Sequence, residues 1–185
     1  MVEPKDTKAE FDLQDYYKFG AAKYRPIFHR YAPKLTIVLN CIYWSGKYPR
    51  LITKNFIRNH WGDENNRLQA IGDISCDVGG AIEFTLQTTN PGNPTFSYIV
   101  SEDRAKAGVD GDGPLVMAVD NLPCELPRES STSFSETLLD YIPALAKADF
   151  TASFEKLELP KEIKDAVIVY QGELTPNYEY LKTYL

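Results

Sequence analysis

Apolar and polar positions alternate along this chain in two ways. Leu35 to Trp44 is an almost unbroken apolar run rich in β-branched residues, interrupted only by Thr36 and Asn40. Such a run predicts a strand buried on both faces, as in a parallel sheet. Leu68 to Ile74, apolar except for Gln69 and Asp73, and Leu115 to Val119 predict two further buried strands. Phe96 to Val100 reads as a short additional one. Helical spacing appears elsewhere. Thr53 suits the N-cap of a helix running through Trp61, which Gly62 can close in the left-handed conformation. Tyr24 to Tyr31 reads as a short helix with Pro26 early in it and Pro33 as its stop. Phe134, Leu138, Ile142 and Leu145 form an apolar stripe, assigned to the core of a helix that Pro143 should kink. That helix starts at Pro127 or, by the capping-box spacing of Ser133 and Glu136, further in. Pro160 opens a short helix, Ala166 to Tyr170 reads as a strand, and Thr175-Pro176 starts a terminal helix. Residues 1–20 show no clear period and read as an irregular lead-in. Residues 88–94 and 101–113 carry turn chemistry and read as loops.

Strand, helix, strand, long excursion, strand and helix argue for an α/β fold with a parallel sheet, the strands lying near 35–43, 68–74 and 114–119. Their C-terminal ends should converge on one cleft. The sequence contains no G-x-G-x-x-G run, which normally follows the first strand of a dinucleotide fold. The pattern therefore fits the second half of a doubly wound domain. Three segments follow: 1–34 as lead-in and helix, 35–125 as that half-domain, and 126–185 as a helical return segment.

Composition narrows the picture. The chain has 185 residues with a globular apolar fraction of 43%, room for one ordinary domain. A net charge of −6 without a basic cluster argues against a nucleic-acid partner. No apolar run is long enough for a membrane helix. The polar, acidic start, Met1 to Asp6, resembles neither a signal nor a transit peptide. Cys41, Cys76 and Cys124, three thiols at wide spacing, point to a reducing compartment and to thiols that stay reduced. They form no zinc-type pair, and His29 and His60 fit solvated surface positions.

Candidate chemistry gathers at Ile71 to Phe84. An apolar strand ends there, Asp73 and Asp77 stand four residues apart around Ser75 and Cys76, and Gly79-Gly80 removes side chains. Ligands of open α/β sheets lie just past the carboxyl ends of strands, and paired glycines let a cofactor approach the backbone. The plainer alternative is a strand, a turn and two solvated acids.

Three strand ends carry a family resemblance: Asn40 to Trp44 with Lys47-Tyr48-Pro49-Arg50-Leu51, Gly72 to Glu83, and Val119 to Pro123 with Leu126-Pro127-Arg128-Glu129. Together with Asp15-Tyr16-Tyr17, Gly172 to Thr175 and Tyr178-Glu179-Tyr180, they resemble the lysine-2-oxoglutarate reductase region of the bifunctional aminoadipic semialdehyde synthases. More distantly they are similar to alanine dehydrogenase, transhydrogenase and fungal lysine-forming saccharopine dehydrogenase. The resemblance covers nearly the whole chain and is most specific at the strand ends. It implies a Rossmann-like domain that binds NADP or NAD and serves the interconversion of lysine plus 2-oxoglutarate with saccharopine. It also implies cofactor contacts at Cys41 and Ile42, at Ile74, Ser75, Cys76 and Asp77, and at Val119, Asp120, Asn121 and Leu122. In alanine dehydrogenases the carboxylate matching Asp77 lies at the hydride-transfer site, which makes Asp77 the candidate catalytic residue.

The substrate domain of those relatives, with its acid–base Lys and His, has no counterpart in this sequence. The expectation is therefore a C-terminal part of a reductase, inactive by itself, working inside the cell in mitochondria or cytoplasm. The alternative is a non-catalytic module that binds or regulates the intact enzyme. Self-association is compatible with either.

Overall fold

A computed structural model describes residues 1–184 and divides the chain into two units, Met1–Glu125 and Leu126–Leu185. The first unit is built on a five-stranded sheet. In chain order, its elements begin with β1 (Val2–Pro4), α1 (Leu13–Phe19), β2 (Tyr24–Pro26), β3 (Ile37–Asn40), α2 (Lys54–His60) and β4 (Ala70–Asp73). Then come β5 (Thr95–Ile99), β6 (Arg104–Ala107) and β7 (Leu115–Met117). The sheet order is β3-β4-β7-β5-β6. β3, β4 and β7 are parallel, with Val38 level with Ile71 and Ile71 with Val116. These three side chains are buried in one cluster with Ile52, Ile57, Phe84, Phe96 and Tyr98. The fold is thus α/β with a Rossmann-like parallel core, as the apolar runs predict.

α2 forms where its signals place it. Thr53 Oγ1 accepts from the Phe56 amide at 3.1 Å, Gly62 follows the last turn at φ +90°, and Ile57 is fully buried. The Glu83 carboxylate accepts from the Lys54 amide at 2.8 Å, so a second donor of the first turn is satisfied from across the fold. Phe84 and Tyr98 stack in the core with ring centroids 5.1 Å apart.

Several expectations are overturned. The run at 35–44 is not buried on both faces. Val38 and Asn40 are buried, but Ile37 is 62% and Leu39 69% exposed. β3 is an edge strand with one strand neighbour, and only its inward face joins the core. The segment at 24–31 is not a helix: β2 pairs antiparallel with β1, and two 3-10 turns follow at Phe28–Arg30 and Ala32–Lys34. A residue preceding proline is biased toward extended backbone, so Pro26 straightens Arg25. Within the lead-in, Asp12 caps α1, accepting from the Asp15 amide, and Gly20 ends it at φ +48°. A side chain at Gly20 would collide with the Lys47 carbonyl at 2.2 Å. The loop expected at 101–113 contains β6, hydrogen-bonded to β5.

The second unit contains α3 (Pro127–Leu139), α4 (Ile142–Lys147), α5 (Lys161–Ala166), β8 (Val169–Tyr170), β9 (Glu173–Leu174) and a 3-10 segment at Pro176–Tyr184. Pro127 begins α3, and the chain breaks before α4, where Pro143 sits in the first turn, instead of kinking. The stripe assigned to the core is not buried: Phe134 is 68% exposed and Ile142 is also exposed. Apart from Phe134, Leu138 and Leu139, α3 is polar, too little apolar surface to bury a face. The expected strand from Ala166 shrinks to β8, paired with β9 through Gln171 and Gly172 at positive φ.

Candidate functional site

The candidate residues lie beyond the C-terminal ends of β3, β4 and β7, three adjacent parallel strands. At the last register position of the first pair, Asn40 faces Asp73. Asp73 is only 1% exposed, so it is not a solvated acid. Its carboxylate accepts from Asn40 Nδ2 at 2.8 Å and from Thr85 Oγ1 at 2.5 Å, and both partners are buried too. A buried carboxylate must have its charge met by such donors. This trio ties the ends of β3 and β4 to the segment after the glycine pair. Asn40 Oδ1 also accepts from the Ile42 amide at 3.4 Å, which carries the ordering into the next loop.

The two strand-end loops are joined directly. Ser75 Oγ donates to the Ile42 carbonyl at 2.8 Å, and the Ile74 amide donates to the Asn40 carbonyl at 2.8 Å. Cys76 turns the chain at φ +53°, with Sγ donating to the Asp73 carbonyl at 3.2 Å. Burial pushes the Cys76 thiol up, and the negative charges of Asp73, Asp120 and Asp77 push it further. Three carboxylates from the β4 and β7 ends therefore act on one point, and the thiol stays protonated.

The remaining residues sort by exposure. Cys41, Ile42, Ile74, Asp77, Asp120 and Asn121 are exposed, Ser75 and Leu122 are partly buried, and Val119 has its side chain in the interior. Val119 forms a parallel bridge with Thr89, and the Thr89 amide donates to the Ala118 carbonyl at 2.8 Å. Asn121 and Leu122 lead into a 3-10 turn at Leu122–Glu125. The Asp77 carboxylate makes no hydrogen bond among the described residues. Its carbonyl accepts from the Gly80 amide at 2.8 Å.

Three residues, Arg50, Asn40 and Thr85, hold the site without having been among its candidate residues. Arg50 donates to the carbonyls of Gly79 and Gly80, and its Nε lies 3.6 Å from Glu83. Asn40 and Thr85 complete the Asp73 site. An arginine in an irregular loop carries no periodic signal. Asn40 does carry one: it is a polar residue in phase with buried Val38. All three cysteines are free, and among the described residues no cluster of three or more His, Cys, Asp or Glu could hold a metal.

Ile42, Ile74 and Val78 offer exposed apolar surface beside two carboxylates and an amide. A side chain at Gly79 would meet no other atom within 4 Å, so the turn leaves open space.

Comparison with known proteins identifies the family. The profile of the alanine dehydrogenase/PNT C-terminal domain matches residues 22–177. Alpha-aminoadipic semialdehyde synthase of Arabidopsis thaliana is 37% identical over 182 residues, covering 98% of this chain and 16% of the relative. The mitochondrial enzyme of that name from Bos taurus is 30% identical over 189 residues, covering 95% of this chain and 20% of the relative. Saccharopine dehydrogenase (NAD(+), L-lysine-forming) of Schizosaccharomyces pombe is 36% identical over 119 residues, covering 61% of this chain and 28% of the relative. The chain thus spans about a sixth to a fifth of the length of the semialdehyde synthases it matches.

Proposed function

The chain belongs to the alanine dehydrogenase/PNT C-terminal domain family, and we propose that it forms the nicotinamide-side wall of a dinucleotide cleft in an oxidoreductase of lysine degradation. The observation that carries this is the joining of adjacent strand ends. The Asn40–Asp73–Thr85 trio, the Ser75–Ile42 bond and the Ile74–Asn40 bond join the ends of β3 and β4 into one ordered rim, beside which β7 ends. It lies where open α/β sheets take their ligands. The name of the fission-yeast relative supports saccharopine and lysine as substrates, and the resemblance to the lysine-2-oxoglutarate reductase region adds 2-oxoglutarate.

The residues present fit the nicotinamide half of NAD or NADP. That group, when bound, supplies the hydride chemistry. The chain supplies position and charge. Ile42 and Ile74 offer surface to a ring, Asn121 offers amide donors and an acceptor to a carboxamide, and Asp77 presents an exposed carboxylate at the rim. The adenosine half finds no glycine-rich loop in this sequence, so the chain by itself should bind dinucleotide weakly and turn over nothing. Placement inside the cell, in mitochondria or cytoplasm, belongs to the same proposal. The free thiols and the mitochondrial designation of the bovine relative support it.

Saturation-transfer NMR, together with amide shift mapping of the labelled chain, using NADH, NADPH, reduced nicotinamide mononucleotide and AMP, tests the reading. Expected are contacts from the nicotinamide protons, with shifts confined to residues 41–42, 74–77 and 119–122. AMP binding as well as the mononucleotide, or shifts elsewhere, would overturn it. A second reading, a non-catalytic module that binds or regulates the intact enzyme, draws on the bare edge and exposed Ile37 and Leu39 of β3. It expects inhibition when excess chain is added to that enzyme.

A further inference from the structure

Arg50 lies between β3 and α2, outside the rim, yet it grips the turn that follows Asp77. Its Nη1 carries two N–H groups and donates to the carbonyls of Gly79 and Gly80. The guanidinium lies 4.6 Å from the Trp44 ring centroid, and its Nε faces Glu83 at 3.6 Å. The indole face under the cation and the carboxylate beside it together hold the fork.

The gripped turn closes directly on Asp77. The Gly80 amide donates to the Asp77 carbonyl, and the Gly79 amide to the Thr85 carbonyl, both at 2.8 Å. A side chain at Gly80 would sit 2.4 Å from Asp77 Cβ, so the two residues are already in contact. The flanking main chain is zipped to the Arg50 segment: the Leu51 amide donates to the Ala81 carbonyl at 2.8 Å and the Glu83 amide to the Ile52 carbonyl at 3.0 Å. The backbone and Cβ of Asp77 are placed by the turn, and the Gly79 and Gly80 carbonyls of the turn are held by Arg50.

We propose that Arg50 is a positioning residue for Asp77, fixing the Asp77–Gly80 turn so that the carboxylate stands ready at the rim. The effect on ligand rests on the functional reading above; the effect on the turn does not. Lysine keeps the charge but has no planar fork to lie over Trp44 while spanning two carbonyls.

Arg50→Lys, Arg50→Met and Asp77→Asn, made in the full chain, test this through amide exchange of residues 74–83, affinity for reduced nicotinamide mononucleotide, and melting temperature. Both Arg50 variants should speed exchange at the turn by about tenfold. Both should also weaken the mononucleotide by about tenfold, with Arg50→Lys doing so at an unchanged melting temperature. Asp77→Asn should weaken binding with exchange unchanged. Exchange that stays at the wild-type rate in both Arg50 variants overturns the proposal, as does faster exchange with undiminished binding. A wild-type chain that takes no mononucleotide overturns the functional reading instead, and the exchange comparison then decides the role of Arg50 by itself.

Discussion

Cys76 and Asp77 are neighbours with opposite demands. Cys76 is held in a left-handed turn among three carboxylates, its thiol pushed up and donating to the Asp73 carbonyl. Alkylation needs the thiolate, so Cys76 should react more slowly than the exposed Cys41 and Cys124. Peptide mapping of a time course with iodoacetamide at neutral pH checks the order; Cys76 labelled first would contradict it. Asp77 by contrast offers its carboxylate to solvent and only its carbonyl to the turn. Asp77→Asn should therefore leave the melting temperature unchanged. In a catalytically complete enzyme containing this segment it should slow turnover by about two to three orders of magnitude, the usual worth of a preorganised charge at a reacting centre. If the carboxylate only supports the turn, stability falls by ~1 kcal/mol and turnover is near normal. Steady-state kinetics beside a thermal melt tells the two apart.

At the scale of elements, the β5–β6 hairpin is fastened to α2 by one side chain. Asp103, at φ +50° in the hairpin turn, accepts from Tyr98 Oη at 2.9 Å and pairs with Lys54 at 2.8 Å and Arg58 at 3.2 Å. Burial, then the bond to Asp103 and its charge, raise the Tyr98 phenol from 10 to about 12. A raised folded value means that the neutral phenol contributes fully below pH 10, and that this stability is lost between pH 10 and about 12. Tyr98→Phe should flatten the denaturation midpoint across that window; an unchanged slope would remove Tyr98 as its source. Thr53→Ala, which strips the N-cap of α2, should cost about 1 kcal/mol in the same assay. α2 was legible because Thr53 and Gly62 mark its ends and Ile57 fills the core. β4 and β7 were legible because their apolar runs are buried. β6 was not, since Arg104-Ala105-Lys106-Ala107 lies at an outer edge and alternates only through alanines, of which Ala105 alone packs against the core, too small an apolar signal to mark a strand. β2 was hidden by reading Pro26 as a helix starter. At the rim, the strand ends could be placed from apolar runs that stop at polar residues. The Arg50 grip and the Thr85 bond could not, because they join loops far apart in sequence and no local period encodes them.

For the whole molecule, β3 is the most consequential element, with one outer edge and one bare face. Exposed apolar edges invite pairing with another chain. Ile37→Lys or Leu39→Lys should reduce concentration-dependent self-association, followed by light scattering, without lowering the melting temperature. Equal scattering from the variants and the parent would clear this edge of the role. Alternation within β3 also sets what substitutions the strand will accept. In a saturation library selected only for a folded, protease-resistant chain, Val38 and Asn40 should be intolerant, while Ile37 and Leu39 accept lysine, glutamate and threonine. In a library selected for lysine-dependent growth in the complete enzyme, a requirement at Ile37 and Leu39 would appear only if that face is covered there. The difference between the two tolerance maps, residue by residue along four positions, separates what the strand owes to its own core from what it owes to a neighbour.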